Sequence, residues 1–338
     1  MNGDARRRRR PRHPSDIISF AVSYASIRLF ESIMEAGLKH RDRLLRVPVL
    51  GSLARGTFKL LRAHVAGTGL SDAEIAAFGA TRVTGAVPTD RSLNRLCDLA
   101  DWSEPALARI VAELGGDQSR KWWETGVAFL GLERLGAVRE DAVGLSVGAG
   151  HEVLLYYLAN RVLKVIGTDL YDGSAWEDEG NPDALLDPAR FAPFDYRRSH
   201  LELRRMSGCS LELPSDMFDF AYSLSSIEHF GGHAAAAQSM REIARTLKPG
   251  GVAAIVTEFK VDGKPHREFF NRPDLEEHMI RSHGMELVLG PLDLRISEAT
   301  LATTIDLERD HIHRRPHIVL RHHGHDWTSI ALFFRKAR

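Results

Sequence analysis

The chain has 338 residues, 43% of them hydrophobic, and its 45 basic side chains balance 45 acidic ones. That length suits one large domain with an appendage, or two domains, and the balanced charge excludes a global field that would select nucleic acid. Two cysteines, Cys97 and Cys209, exclude a disulfide scaffold and suit a reducing cytosol, and no apolar run approaches the roughly 18 residues of a membrane span.

Residues 1–14 hold an unbroken run from Arg6 to Arg10 and read as a disordered, solvated tail. The following apolar stretch is interrupted by Arg28 and Glu31, so it does not read as a signal peptide. Ser15 is placed to cap a helix over 16–36, stopped by Gly37, with Ile18, Val22, Ala25, Leu29 and Ile33 on one stripe. A mixed segment, 47–65, carries Arg55, Lys59 and Arg62 among apolar residues. Residues 15–118 are expected to form a helical N-terminal extension that caps a pocket or a dimer interface. A peripheral membrane contact through residues 6–65 is the alternative. Residues 66–90 read as loop, 91–99 and 104–114 as helices, and 120–135 as a helix closed by Gly136.

From Ala142 the pattern changes. An apolar run, Ala142–Val147, ends in the tight turn Gly148-Ala149-Gly150. An amphipathic stretch, 153–158, follows, and a second apolar run, 162–166, leads to Asp169, 19 residues after Gly150. Strand, glycine turn, helix, strand and acid is the order that a nucleotide-like cofactor requires. Glycine lets the backbone approach a ligand with no Cβ in the way, and the acid can accept both ribose hydroxyls. A dinucleotide fold usually has a third glycine, where this chain has Val153; that argues against NAD.

Further on, 171–199 is a connection without strong periodicity, and 201–206 and 218–224 read as strands. A helix over 233–247, the turn Lys248-Pro249-Gly250-Gly251 and an apolar strand over 252–256 come next. A helix over 273–282 and strands over 285–289, 317–320 and 329–334 close the chain. This alternation predicts an α/β fold: a Rossmann-like, doubly wound, mostly parallel seven-stranded sheet with an antiparallel edge strand.

The glycine turn, Asp169, the segment Leu213–Phe230 with Pro214, Phe218 and Asp219, and Leu247–Gly251 resemble, in order and spacing, the class I S-adenosylmethionine-dependent methyltransferases. The resemblance covers residues 119–338. The form VGAGHE, followed by YYLAN and TDLY, looks like a bacterial small-molecule subgroup found near sugar-transfer functions. The resemblance implies S-adenosylmethionine as cofactor, held near Gly148, Ala149, Gly150, Glu152, Asp169, Leu170, Ser207, Gly208 and Ser225. Two positions depart from the family's pattern. Ser146 stands where an acid usually contacts the methionine amino group, with Glu152 as a replacement carboxylate or a helix-dipole partner. Ser207-Gly208 stands where an acid usually receives the adenine amine.

Methyl transfer to a hydroxyl or amine needs orientation and a base. His229, just beyond the strand 218–224, is the first candidate, because an imidazole with a reference pKa of about 6.5 accepts a proton at physiological pH. Glu228 is expected to orient it or to act itself, and Glu258, at the end of a later strand, is a further candidate. His311, His313, His317, His322, His323 and His325 crowd the C-terminal region but read as exposed loop histidines, so no metal is expected. Trp122 and Trp123 read as core more than as cofactor cover, and Cys97 and Cys209 as buried thiols.

The function expected is methyl transfer to a small-molecule acceptor, a hydroxyl of a sugar, glycan or lipid-linked metabolite, in the cytoplasm or at a membrane surface. A non-catalytic methyltransferase-like subunit and an RNA methyltransferase are the alternatives. None of the six tyrosines has a lysine four positions later, which removes a short-chain dehydrogenase. The acceptor, the role of residues 1–118 and the oligomeric state are left open.

Overall fold

In the computed structural model, residues 78–88, 90–171, 181–311 and 314–338 are described. The tail 1–14, the helix expected over 16–36, the segment 47–65 and His313 lie outside the described residues. In chain order the strands are β1 (Thr81–Val83), β2 (Val143–Val147), β3 (Lys164–Asp169), β4 (Leu201–Arg205), β5 (Phe218–Leu224), β6 (Leu247–Lys260), β7 (Glu286–Leu287), β8 (Arg295–Ser297), β9 (Ile305–Asp306), β10 (Leu320–His322) and β11 (His325–Arg335). The main helices are α1 (Pro105–Glu113), α2 (Arg120–Arg134), α3 (Val153–Ala159) and α4 (His233–Thr246).

Strands β4-β3-β2-β5-β6 lie side by side and parallel. Their near-continuous apolar sequences are what a sheet covered on both faces requires. β11 then runs antiparallel to β6, from Trp327 opposite Lys260 to Arg335 opposite Val252. Beyond it lie the short β10 and β9, and β7 pairs with the far end of β11. The sheet thus has nine strands rather than seven. The antiparallel member is a long interior strand flanked by two- and three-residue pieces.

The helices form where an apolar stripe meets this sheet. Pro105 starts α1 at a position that has no N–H to lose, and Leu107, Ile110 and Val111 bury one face. α2 is buried over most of its length and ends before Gly136, which takes the left-handed conformation (φ 68°). Gly131 lets α2 sit directly on the sheet: a Cβ there would stand 1.9 Å from the Phe333 ring.

The Phe218-Asp219 and Leu247–Gly251 motifs meet at the end of the sheet opposite the cofactor turn. One Asp219 oxygen accepts from the Val143 backbone N–H (2.9 Å) and from Lys248 Nζ (2.8 Å), and the other from Arg139 (3.2 Å). These motifs clamp the starts of β2, β5 and β6 and do not touch the chemistry.

Three local expectations change. Residues 91–99 are extended, not helical, because their polar side chains find partners across the chain. Asn94 Nδ2 donates to the Val288 and Gly290 carbonyls, and its oxygen accepts from the Phe333 N–H. Arg95 pairs with Asp101 and Glu104. The loop 66–90 contains β1, paired with β8. The helix expected over 273–282 begins as a short α-turn, Arg272–Asp274, and continues as a π-helix, Leu275–Ile280. The described residues from 78 onward fall in one compact unit.

Candidate functional site

The chain passes from β2 to β3 on one side and returns from β4 to β5 on the other side of β2, so a crevice opens at the carboxyl end of β2, where open parallel sheets hold ligands. Gly148 (φ 71°) and Gly150 (φ 46°) turn the chain there. The turn is pinned from three sides. Gly148 and Ala149 donate to the Thr168 carbonyl (2.8 and 3.0 Å), Ser226 Oγ donates to the Gly148 carbonyl (2.9 Å), and the Tyr171 hydroxyl donates to the Gly150 carbonyl (2.7 Å).

Asp169 stands at the tip of β3. Its Oδ2 accepts from the Gly150 N–H (2.9 Å) and its Oδ1 from the Leu170 N–H (2.6 Å). Both oxygens are therefore fixed in direction and keep lone pairs for two further donors. Leu170 beside it is half exposed, an apolar surface next to a fixed carboxylate. Ser146, fully buried in β2, holds Glu152 Oε1 at 2.8 Å, which brings a carboxylate back to the place where the family's first-strand acid is missing. Glu152 makes no side-chain hydrogen bond to its own helix start. Burial and the charge of Glu152 push the adjacent Tyr222 phenol well above its usual range.

Opposite this, Ser207 Oγ accepts from the Cys209 N–H (3.2 Å) within its own turn, and Gly208 is buried against Phe230. A Cβ on Gly208 would stand 2.4 Å from the Phe230 ring, and one on Gly148 would stand 3.1 Å from it. Phe230 is thus a wall between the turns after β2 and β4. Ser225, at the end of β5, is buried and left-handed (φ 44°), a conformation that a non-glycine residue adopts only when its surroundings impose it.

The single helical turn Ile227–His229 follows β5. His229 Nδ1 lies 3.1 Å from Glu268 Oε2, and both side chains are about a quarter exposed (24% and 23%). Burial alone would lower the His229 pKa. The hydrogen bond to Glu268 and the charges of Glu228, Glu268 and Glu258 outweigh it and raise the imidazole above 6.5. The bond from His229 is the main cause that holds Glu268 down to about 2. Glu228 is not the orienting partner. It is fully buried and accepts from the Thr257 hydroxyl (2.8 Å). Burial, opposed by His229 and reinforced by Glu258, pushes it up to about 7.

Glu258 lies under the site and is not exposed to an acceptor. It pairs with Arg120 at 2.6 Å; Arg120 also pairs with Glu124 at 3.0 Å and donates to Ser329 Oγ, which bonds Glu124. Burial would raise Glu124, but Lys121, Arg120 and Ser329 together hold it below its usual range. Sequence reasoning missed Glu268, Phe230, Tyr171 and Arg120 as site residues. The Tyr171 position carried a signal in TDLY; Glu268, 39 residues from His229, carried none.

Trp123 is core, with its Nε1 donating to Asp101 (2.7 Å), and Trp122 packs on Gly116. Cys97 is buried, while Cys209 is half-buried. His322 and His323 are exposed, but His317 and His325 are half-buried, and burial lowers both, His317 to about 4.

Residues 145–255 match the family model described as a methyltransferase domain. Over this stretch the chain is similar to methyltransferase domains. Its cofactor is S-adenosylmethionine. The domain's residues fit that molecule: a pre-oriented carboxylate for the ribose hydroxyls, an exposed Leu170 for the flat ring, and a Glu152 carboxylate for the amino group. A search of curated protein sequences gave no match. Among solved structures, a Galdieria sulphuraria protein provisionally assigned as a sarcosine dimethylglycine methyltransferase shares 15% identity, with a TM-score of 0.42 over 63% of this chain and 85% of that one. The cyclase SpnF shares 17%, with a TM-score of 0.42 over 73% and 99%. A Methanosarcina mazei protein described as a SAM-dependent methyltransferase shares 15%, with a TM-score of 0.38 over 60% and 95%. Among the described residues no helix is long and apolar enough to cross a membrane.

Proposed function

We propose that the domain transfers a methyl group to a hydroxyl of a small-molecule acceptor, a sugar, glycan or lipid-linked metabolite, with His229 as the general base. The observation that carries this reading is the His229–Glu268 pair at 3.1 Å, one residue from the Phe230 wall of the cofactor crevice. When bound, S-adenosylmethionine supplies an electrophilic methyl carbon. Asp169 orients the ribose, and the Gly148–Gly150 backbone with Glu152 receives the methionine end. Glu268 accepts from His229 Nδ1–H, which directs the other ring nitrogen, Nε2, at the acceptor hydroxyl. Nε2 takes the hydroxyl proton as the oxygen gains its methyl group, and Glu268 steadies the resulting imidazolium.

The test is calorimetric titration with S-adenosylmethionine and its demethylated product, with NADH as control, followed by an acceptor screen of glycans and lipids. Micromolar binding of the first two ligands and none of NADH is expected. His229→Ala should lower turnover about 10²–10⁴-fold, the range for a lost general base, while cofactor affinity stays within about twofold. Full activity in this variant would remove His229 as the base. Absence of cofactor binding in the intact protein would point to a methyltransferase-like binding subunit.

A further inference from the structure

His233 opens α4, four residues after His229. Its side chain is buried and stacks on Phe270 with ring centroids 4.6 Å apart. His233 Nε2 lies 3.2 Å from the Phe269 carbonyl oxygen. A carbonyl can only accept, so Nε2 carries the hydrogen and Nδ1 of the neutral ring carries a lone pair. Nδ1 has no hydrogen-bond partner among the described residues and faces Oδ1 of the buried Asp274 at 3.5 Å. Two electron-pair donors thus face each other in a dry place.

A second proton on the ring would turn the contact into an ion pair, but such pairs close to about 2.7–2.9 Å. The observed spacing is instead that of two ligands on one ion: with metal bonds of about 2.1 Å, tetrahedral ligands stand about 3.4 Å apart. A third donor completes the set. His278 approaches with its ring centroid 5.5 Å from that of His233, and the candidate ligand atoms of His233, Asp274 and His278 all lie within 4.8 Å of one another. His278 sits in the π-helix Leu275–Ile280, a winding found mostly as single turns at functional sites. Its side chain is 17% exposed, which gives an ion an entry path and a solvent position for a fourth ligand.

We propose that His233, Asp274 and His278 form a divalent metal site, suited by its two imidazoles and one carboxylate to zinc over calcium or magnesium. The ion ties the start of α4 to the π-helix. It thereby braces the two segments that carry His229 and Glu268 without touching the reacting atoms. This site stands independently of the methyl-transfer reading.

The test uses the full chain, stripped with a chelator and titrated with Zn²⁺, and with Co²⁺ as a spectroscopic probe. One ion per chain at this site is expected, with a visible Co²⁺ spectrum of tetrahedral intensity. Both His278→Asn and Asp274→Asn should weaken binding at least tenfold. A His322→Asn/His323→Asn double variant, which removes the exposed histidines near Glu308, should leave it unchanged. His278→Cys should add a sulfur-to-cobalt charge-transfer band, a readout that does not depend on how tightly the variant binds. No ion at micromolar concentration, binding indifferent to His278→Asn, or a Co²⁺ complex of His278→Cys without that band would overturn the proposal.

Discussion

The rim of the sheet over β2 and β3 and the rim over β5 and β6 are built in opposite ways. The first is mostly one stretch, Ala142 to Tyr171, whose turn is held through its main-chain groups by the Thr168 carbonyl and by the side chains of Asp169, Tyr171 and, from outside the stretch, Ser226. The second draws Arg120, Glu228, Glu258, Glu268 and Ser329 from separate elements and fixes them through buried side chains. The cofactor half is local and made of main chain, while the acceptor half is long-range and made of charge. A shared cofactor can be held by a short, portable device. On the proposed function, the acceptor side is assembled from distant parts of the fold.

The sharpest way to break this contrast is to empty the buried charge cluster. Arg120→Met leaves Glu258 in the interior without its cation and Glu124 with Lys121 alone, and should cost about 3–5 kcal/mol of stability, read from urea unfolding. A loss under about 1 kcal/mol would mean that the cluster is not what holds this half together.

Asp169→Ala attacks the local half. It should weaken S-adenosylmethionine binding about 10²–10³-fold, the worth of two hydrogen bonds to a charged group, with a smaller loss of stability than Arg120→Met. Unchanged affinity in calorimetry would refute the ribose assignment.

Glu268→Gln tests the long-range pair by pH. Glu268 raises the His229 pKa together with the charges of Glu228 and Glu258, so its loss gives burial more weight and the pKa falls. His229 then becomes neutral at lower pH, and the rising limb of the rate profile moves toward acid. Turnover falls by less than the roughly 10² expected for losing the base itself. NMR titration of the His229 ring reads the same shift without an acceptor, and a limb that stays put or moves toward alkali would dissolve the pair.

The smallest effect belongs to a pair in neither half. Arg109 and Glu113 form an exposed contact at 2.9 Å on α1, and Arg109→Ala should change stability by no more than about 0.5 kcal/mol. A larger change in urea unfolding would show that surface pairs here act as the buried cluster does.

The same division explains what could be read from residues alone. β2, α3 and β3, the glycine turn and Asp169 are legible because strand period, helix period and turn chemistry are all local there. The mostly parallel sheet follows from alternation of elements. Residues 91–99 mislead because Leu93, Leu96 and Leu99 have helical spacing, whereas Asn94 spends its hydrogen bonds on partners far along the chain and Arg95 pairs with Asp101 and Glu104 just beyond the stretch. The π winding at 275–280 has the apolar spacing of an ordinary helix. Glu268 is invisible because nothing near it in sequence marks it. Asp219 and Lys248 were read as family motifs and prove to be a clamp at the far end of the sheet, an outcome that only three-dimensional placement reveals.

β11 lies between β6 and β10, although it is the last strand in the chain, and Phe333 bonds to Asn94 across 239 residues. During synthesis, then, the long edge of β6 waits bare until β11 has emerged and paired with it. Unpaired strand edges of that kind template aggregation. For this chain the hazard lasts from the emergence of β6 to its pairing with β11, and a chain cut short of β11 would leave the sheet open beside β6.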